Sequence, residues 1–117
     1  MSSFFNMITN ESGWPTQITP GSAATISASA ANIGGSVNPH VALLDTNKML
    51  ITYALNAGNS YAVIGTVSGN SISFGSAVSY DSANTFVGSA ILSTTTAVVL
   101  ADADIYHVSV SGTTITP

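Results

Sequence analysis

The sequence has no cysteine, no arginine and a single lysine, Lys48, among its 117 residues. Without cysteine the chain can form no disulfide and offers no thiol chemistry. One lysine cannot neutralise a phosphate backbone, so we expect no nucleic-acid binding. The formal net charge of −4 likewise argues against binding to an anionic membrane surface.

Charge of either sign is scarce. Charged residues make up 5% of the chain, against roughly 25% in ordinary soluble domains. The chain is long enough for one domain with one core. A free monomer needs a charged surface to remain soluble. We therefore expect a surface that is mostly uncharged Ser, Thr, Asn and Gly, or one that a partner covers.

Long apolar runs and helical periodicity are also missing. The apolar stretches, such as Ala97–Ala101, fall far below the ~20 residues of a membrane-spanning helix. Residues Met1–Gln17 lack the basic region and long apolar core of a usual signal peptide. The Ala-rich stretch Gly21–Ala31 is a candidate helix, but its Ser and Thr residues and the preceding Pro20 weaken that interpretation.

Catalytic and metal-binding motifs are absent as well. His40 and His107 lie in no recognisable motif, and no Gly-x-Ser-x-Gly turn occurs. Asp102 and Asp104 could hold a hard cation such as Ca²⁺, but two carboxylates without further oxygen ligands make a poor site. Asp45 is typical of a turn. We therefore predict no enzymatic activity, no metal and no cofactor.

What the chain does contain is strand and turn material, rich in Thr, Val, Ile, Tyr and Ser and interrupted by Gly, Asn and Pro. At Ser68-Gly69-Asn70 and Ser111-Gly112-Thr113, glycine can adopt the positive φ of a hairpin loop. The predicted strands are Ile18–Ile26, Val41–Leu44, Met49–Leu55, Tyr61–Val67, Ile72–Tyr80, Val87–Leu92, Thr96–Leu100, Ile105–Val110 and Thr114–Thr116.

An internal repeat organises these strands into two units of four. The matched stretches are Ala42–Leu44 with Ala90–Leu92, Leu50–Ala54 with Ala97–Ala101, and Val67–Ile72 with Val110–Ile115. In each unit the two inner strands are apolar, the third ends in Ser-Gly, and the fourth begins at the isoleucine after the turn.

The fourth strand of the repeat recurs at both ends of the chain. Ile72–Ala77 (ISFGSA) has a counterpart in Ile18–Ala23 (ITPGSA) and a partial one in Ile115–Pro117 (ITP). We therefore predict a two-repeat β domain over residues 18–117, cut at a strand boundary. In an assembly, Ile115–Pro117 of one copy could then lie beside Ile18–Ile26 of the next.

Residues 1–17 stand outside the repeat, and we predict that they form an extended N-terminal arm. The arm is rich in apolar side chains. Because aromatic residues dominate interface energetics, we predict Phe4, Phe5 and Trp14 as its partner-binding residues. A frayed terminus is the alternative interpretation.

The stretch Val63–Val78 (VIGTVSGNSISFGSAV), followed by Ser82–Thr85 (SANT), resembles a tandem repeat common in phage and marine bacterial proteins. The resemblance covers about Ile18–Pro117 and is sharpest over Gly65–Thr85, while His107–Val110 departs from it in the second unit. It implies the blades of a β-propeller. The expected fold is therefore all-β, with two four-stranded blades per chain.

Two blades cannot close a propeller, which typically has ~4–8. The inner strands Met49–Leu55 and Ala97–Ala101 are apolar or small on both faces, as blades packed on both sides require. Head-to-tail association of copies would bury the apolar ends. We expect a homotrimer with six blades, and the alternative is a trimer of small β-sandwiches or β-barrels.

These expectations, with the phage context that the resemblance implies, predict a non-enzymatic virion structural protein. It would be a trimeric decoration (cement) protein on the outer capsid surface of a tailed phage, and its partners would be its own copies and the major capsid protein. The alternative is a lectin-like, carbohydrate- or receptor-binding propeller on a tail appendage or secreted by a bacterium. Tyr53, Tyr61, Tyr80 and Tyr106 are then the candidate sugar-stacking residues.

Overall fold

The computed structural model describes residues 20–26, 39–55, 58–82 and 87–117. Within these ranges every helix or strand element is a β-strand, and the strands form two antiparallel sheets. The predicted all-β character is therefore confirmed. The predicted arm, with Phe4, Phe5 and Trp14, lies outside the described residues.

Sheet 1 is an antiparallel meander with a divided outer edge. Its strands are β1 (His40–Asp45), β2 (Lys48–Leu55), β3 (Asn59–Ser68), β4 (Ser71–Phe74) and β5 (Val78–Asp81). The first four lie side by side in chain order, and β5 pairs with β3 on the same side as β4. Together β4 and β5 therefore take the place of one fourth strand.

Sheet 2 repeats the order of the first four strands and has no counterpart of β5 among the described residues. Its strands are β6 (Val87–Ser93), β7 (Thr96–Ala101), β8 (Asp104–Ser111) and β9 (Thr114–Thr116), again side by side in chain order. The predicted strands between residues 41 and 116 match those of both sheets to within a few residues at their ends, except for the one predicted over Ile72–Tyr80.

The two predicted Ser-Gly turns are confirmed as two-residue hairpin loops. Gly69-Asn70 joins β3 to β4, and Gly112-Thr113 joins β8 to β9. The two glycines have φ values of 58° and 64°. A positive φ at the first loop residue is what a type II′ turn requires, and glycine adopts it without steric cost.

The sheet registers define which residues of the two sheets correspond. When residues are counted back from the two equivalent Ser-Gly turns, Lys48 of β2 corresponds to Thr96 of β7. Leu50 therefore corresponds to Val98, and the match with Ala97 predicted from sequence is wrong by one residue. Neighbouring small apolar residues in β7 resemble one another too closely for the sequence to set the register.

Both sheets carry the same irregularity in their first hairpin. The β1–β2 register shifts at Leu44, and the β6–β7 register shifts at Leu92. A bulge of this kind bends the strand and increases its twist. Its recurrence confirms the match of Ala42–Leu44 with Ala90–Leu92 and shows that the two units share local geometry as well as strand order.

The prediction of one strand over Ile72–Tyr80 is wrong, because residues 75–77 interrupt it between β4 and β5. The Gly75 N–H donates a hydrogen bond of 2.9 Å to the Ile64 carbonyl oxygen. A Cβ on Gly75 would overlap the carbonyl oxygen of Thr113 in sheet 2. The outer strand therefore breaks at a glycine, where the two sheets approach one another.

The strand predicted over Ile18–Ile26 is described only from residue 20 onward. Residues 20–26 belong to no strand, so this part of the prediction is not confirmed. The same residues are not helical either, which removes the described part of the candidate helix Gly21–Ala31.

The main core lies between the two sheets. Sheet 1 contributes five buried residues, which are Leu44, Leu50, Ala62, Ile64 and Tyr80. Sheet 2 contributes six, which are Ala97, Val99, Ala101, Val108, Val110 and Ile115. Close approach between the sheets involves β1 and β6 above all. Each sheet thus buries one face against the other and turns its second face outward.

Gly75→Ala should destabilise the chain, because the added methyl group meets both the backbone and the Cβ of Thr113. Overpacking of this kind typically costs about 1–3 kcal/mol, and urea unfolding measures it. Gly88→Ala is the matched control, since its Cβ would lie 3.8 Å from Leu100 in ordinary contact. Equal unfolding midpoints for the two variants would contradict the close approach at Gly75.

Candidate interaction interface

The interface inside the chain provides a reference for its free surfaces. We call the faces that meet in the main core the inner faces, and the opposite faces the outer faces. By the register correspondence, the outer face of sheet 2 is equivalent to the inner face of sheet 1. The outer face of sheet 1 is likewise equivalent to the inner face of sheet 2.

Two tyrosines hold the inner faces together in opposite directions. Tyr80 of sheet 1 donates a hydrogen bond of 3.0 Å to the Leu100 carbonyl oxygen of sheet 2. Tyr106 of sheet 2 donates one of 2.5 Å to the Asp81 carboxylate of sheet 1. Their rings meet edge to face, with centroids 5.8 Å apart. The interface is therefore fixed by directional contacts as well as by apolar burial.

The chain's one lysine also bridges the sheets. Lys48 lies in β2, and its Nζ donates a hydrogen bond of 3.2 Å to the Gly112 carbonyl oxygen in the outer turn of sheet 2. This hydrogen bond therefore links strand β2 of sheet 1 to the β8–β9 turn of sheet 2.

The outer face of sheet 2 exposes large apolar side chains. Leu92 is 61% exposed and Ile105 is 69% exposed. They lie on the same face as the partly buried Val98 and Leu100. Ile105, Val98 and Leu100 also line an open depression of about 220 Å³ together with β6. Around Ile105 and Leu100 this face is therefore apolar, concave and uncovered among the described residues.

The outer face of sheet 1 is apolar too. Leu43 is 72% exposed and Val41 is 58% exposed in β1, and Ile72 of β4 is 38% exposed. Beside them Ile51, Tyr53 and Val63 form a second buried cluster. Ile26 packs against that cluster from the segment 20–26. Part of this face is thus covered within the chain, while its β1 side remains open.

Three of the exposed residues correspond to residues that pack in the internal interface. Leu92 corresponds to Leu44, which is 4% exposed. On the other outer face, Leu43 and Ile72 correspond to Ile91 and Ile115, which pack in the main core. The free faces therefore present the same kind of surface that the chain already uses for packing.

The two histidines differ in position. His40 begins β1, is exposed, and its Nδ1 lies 2.9 Å from the Ser89 hydroxyl of sheet 2, within hydrogen-bond distance. His107 is exposed on the outer face of sheet 2. Its place corresponds to that of Ile64, which is fully buried in the internal interface. The structure does not bring the two histidines together.

The acidic candidates lie in turns or at strand ends. Asp102 and Asp104 are exposed, and Asp102 adopts a positive φ of 55° in the β7–β8 turn. Asp45 has the predicted turn role, because its carboxylate accepts a 2.7 Å hydrogen bond from the Thr46 N–H. Within the ranges that the structure describes, no group of three or more His, Asp or Glu side chains is placed to hold a metal ion.

The four tyrosines of the carbohydrate alternative are engaged in packing. Tyr53 is 2% exposed and stacks on Tyr61, with ring centroids 5.5 Å apart. Tyr80 and Tyr106 form the edge-to-face pair between the sheets. None of the four stands as an open aromatic platform.

The exposed apolar residues of the outer faces, by contrast, were not predicted as site residues, although their match to core positions is visible in the repeat.

Comparisons with protein-family models, with curated proteins and with solved structures return no match to this chain. In the described part of the chain there is no helix with the length and apolar character needed to cross a membrane. Among the described residues the outer faces are the main candidate for a functional surface, because their exposed apolar side chains correspond to residues that pack in the main core.

Alkaline pH should weaken the contact between the sheets. Burial raises the pKa of Tyr80 to about 12, and the hydrogen bond to Asp81 raises that of Tyr106 to about 12. Both shifts favour the neutral phenol in the fold. Their stabilising contribution is therefore complete below the ordinary pKa of about 10 and is lost as the pH rises towards 12. Tyrosinate absorbance and circular dichroism, recorded together, measure this loss.

In that titration Tyr106→Phe should remove one of the two late ionisations and lower the pH at which the fold is lost. Tyr61→Phe, on the outer face of sheet 1, is the matched control and should keep both late ionisations. Loss of structure well below pH 10 in the unmodified protein would contradict this account.

Proposed function

We propose that this protein is a non-enzymatic structural subunit that covers its two apolar outer faces with further copies of itself. The supporting observation is that Leu92, Leu43 and Ile72 are exposed, while their counterparts Leu44, Ile91 and Ile115 pack between the sheets. The outer face of sheet 2 in one copy then packs on the outer face of sheet 1 in the next.

This contact joins unlike faces, so it is heterologous and runs head to tail. Such contacts build a closed ring when the rotation between copies closes, and an open filament when it does not. A propeller typically has ~4–8 blades. Three copies of a two-sheet chain give six blades, which lies within this range, and we propose a homotrimeric six-bladed ring.

Apolar burial supplies the driving force for this assembly. We call the contact between two neighbouring copies a seam. At ~25 cal/mol per Å², a seam that removes roughly 400 Å² of apolar surface from water gains on the order of 10 kcal/mol. The entropic cost of association must be subtracted from that gain. The scarcity of charge, at 5% of residues, also fits a chain whose open faces are covered.

The ring serves as a decoration protein on the outer capsid surface of a tailed phage. The resemblance of the repeat to phage-associated sequences supports the phage context. In this proposal the aromatic-rich arm, residues 1–17, contacts the major capsid protein through Phe4, Phe5 and Trp14. The ring would bridge neighbouring capsid subunits and resist the internal pressure mechanically.

Leu92→Lys should convert the assembly to monomers while leaving the chain folded. The new charge would be desolvated at the seam, but it faces water in the single chain, where Leu92 is 61% exposed. Native mass spectrometry gives the subunit number, and circular dichroism checks the fold. Ala103→Lys is the matched control, because Ala103 is an exposed residue of the β7–β8 turn. A monomeric unmodified protein at micromolar concentration would overturn the proposal.

Deletion of residues 1–17 should abolish binding to capsids while the ring remains intact. Co-sedimentation with undecorated capsids measures binding, and native mass spectrometry measures the ring. The triple variant Phe4→Ala, Phe5→Ala, Trp14→Ala should behave like the deletion. Full capsid binding by the shortened chain would refute the arm's role, and selective binding on a glycan array would favour the receptor-binding alternative.

A further inference from the structure

The segment 20–26 lies on the outer face of sheet 1 without belonging to a strand. A Cβ on Gly21 would overlap the carbonyl oxygen of Asn70 in the β3–β4 turn. At the other end of the segment, Ile26 packs against the cluster that contains Ile51, Tyr53 and Val63. Two separate contacts therefore fix the segment against sheet 1.

The same two contacts occur one unit later in the chain. A Cβ on Gly75 would overlap the carbonyl oxygen of Thr113, in the β8–β9 turn that corresponds to the β3–β4 turn. Five residues further on, Tyr80 packs in the main core with Val99 and Ala101 of sheet 2. Gly75 and Tyr80 have the same spacing as Gly21 and Ile26, and each glycine begins a Gly-Ser-Ala sequence.

The correspondence assigns a structural place to the segment. Residues 75–80 lie against sheet 2, but they belong to the outer edge of the sheet before it, because β5 pairs with β3. Residues 20–26 lie against sheet 1 in the equivalent way. They therefore occupy the position of the outer strand of a sheet that would precede sheet 1, and no such sheet is present among the described residues.

Sheet 2 has an open strand edge that suits this segment. In sheet 1, β5 pairs with Ser60, Tyr61 and Ala62 of β3. In sheet 2, β9 covers β8 only from Ser109 to Ser111. Within the described ranges no strand pairs with the same side of β8 between Asp104 and Val108. An uncovered edge of this kind presents unpaired N–H and C=O groups to an added strand.

We infer that the segment 20–26 of one copy pairs antiparallel with the free edge of β8 in a second copy and completes its outer strand. This inference rests on the proposed head-to-tail ring, and it names the contact that locks each seam. The pairings Val78–Ala62 and Ser79–Tyr61 in sheet 1 set the register. Carried over by the repeat, they place Ala24 opposite Ile105 and Thr25 opposite Asp104.

The cysteine-free sequence allows a direct test of this register. Ala24→Cys combined with Ile105→Cys places two thiols on strands that the inference pairs, and both positions are exposed in the single chain. Directly opposite Cβ atoms in a sheet lie about 4.5–5.5 Å apart, close enough for a disulfide after small adjustment. After mild oxidation, most chains should run as covalent oligomers on a non-reducing gel and return to monomers with dithiothreitol.

Ala24→Cys with His107→Cys is the matched off-register control. His107 is exposed on the same face as Ile105, two residues further along β8. Because a shift of two residues increases the separation to about 7–8 Å, this pair should cross-link at least several-fold less. The pair Thr25→Cys with Asp104→Cys is a second in-register variant, and it should also give covalent oligomers.

Native mass spectrometry of the same samples separates this inference from the proposed function. Intact rings without preferential cross-linking of both in-register pairs would overturn the strand pairing and leave the ring standing. A disulfide that forms within single chains would overturn the pairing too. Monomers in the unmodified protein would overturn both proposals.

Discussion

The packing of one sheet's inner face on the other is the constraint on which the rest of the structure depends. The main core exists only where the two sheets meet, and the smaller cluster on the outer face of sheet 1 is covered in part by Ile26. The edge-to-face contact between Tyr80 and Tyr106 and the paired hydrogen bonds to Leu100 and Asp81 set the position of that contact. The glycine at residue 75 allows the close approach of the backbones beside it.

A repeated sequence extends this constraint beyond a single pair of sheets. Both units have the same order of their first four strands, the same bulge and the same Ser-Gly turn. The outer faces of two copies can therefore pack on each other in the way that the two inner faces pack within one chain. The exposure of Leu92 and Leu43 follows directly from this repetition. Apolar exposure here reflects a regular pattern, and it differs from the scattered surface leucines of ordinary monomers.

Much of this architecture could be predicted from the sequence, for identifiable reasons. Gly69 and Gly112 mark their turns because few other residues accept a positive φ. The strand order follows from the repeat. The break at Gly75 could not be predicted, because it depends on the distant Thr113 of the other sheet.

The site was harder to predict than the fold. Aromatic content predicts Phe4, Phe5 and Trp14 as site residues, and they lie outside the described residues. It also predicts the four tyrosines, which pack internally. Whether a side chain is exposed depends on tertiary packing. It separates Leu92 from Leu44 although the two occupy equivalent places in their strands.

One difference between the two units has consequences for symmetry. The β2–β3 ladder contains eight residue pairs, whereas the β7–β8 ladder contains six. The pairs Ala54–Ser60 and Leu55–Asn59 extend the first hairpin beyond the second. A circular assembly of these chains would therefore alternate long and short projections around one rim. Its rotational order would equal the number of chains, half the number of sheets, and a docking partner could distinguish the two kinds of projection.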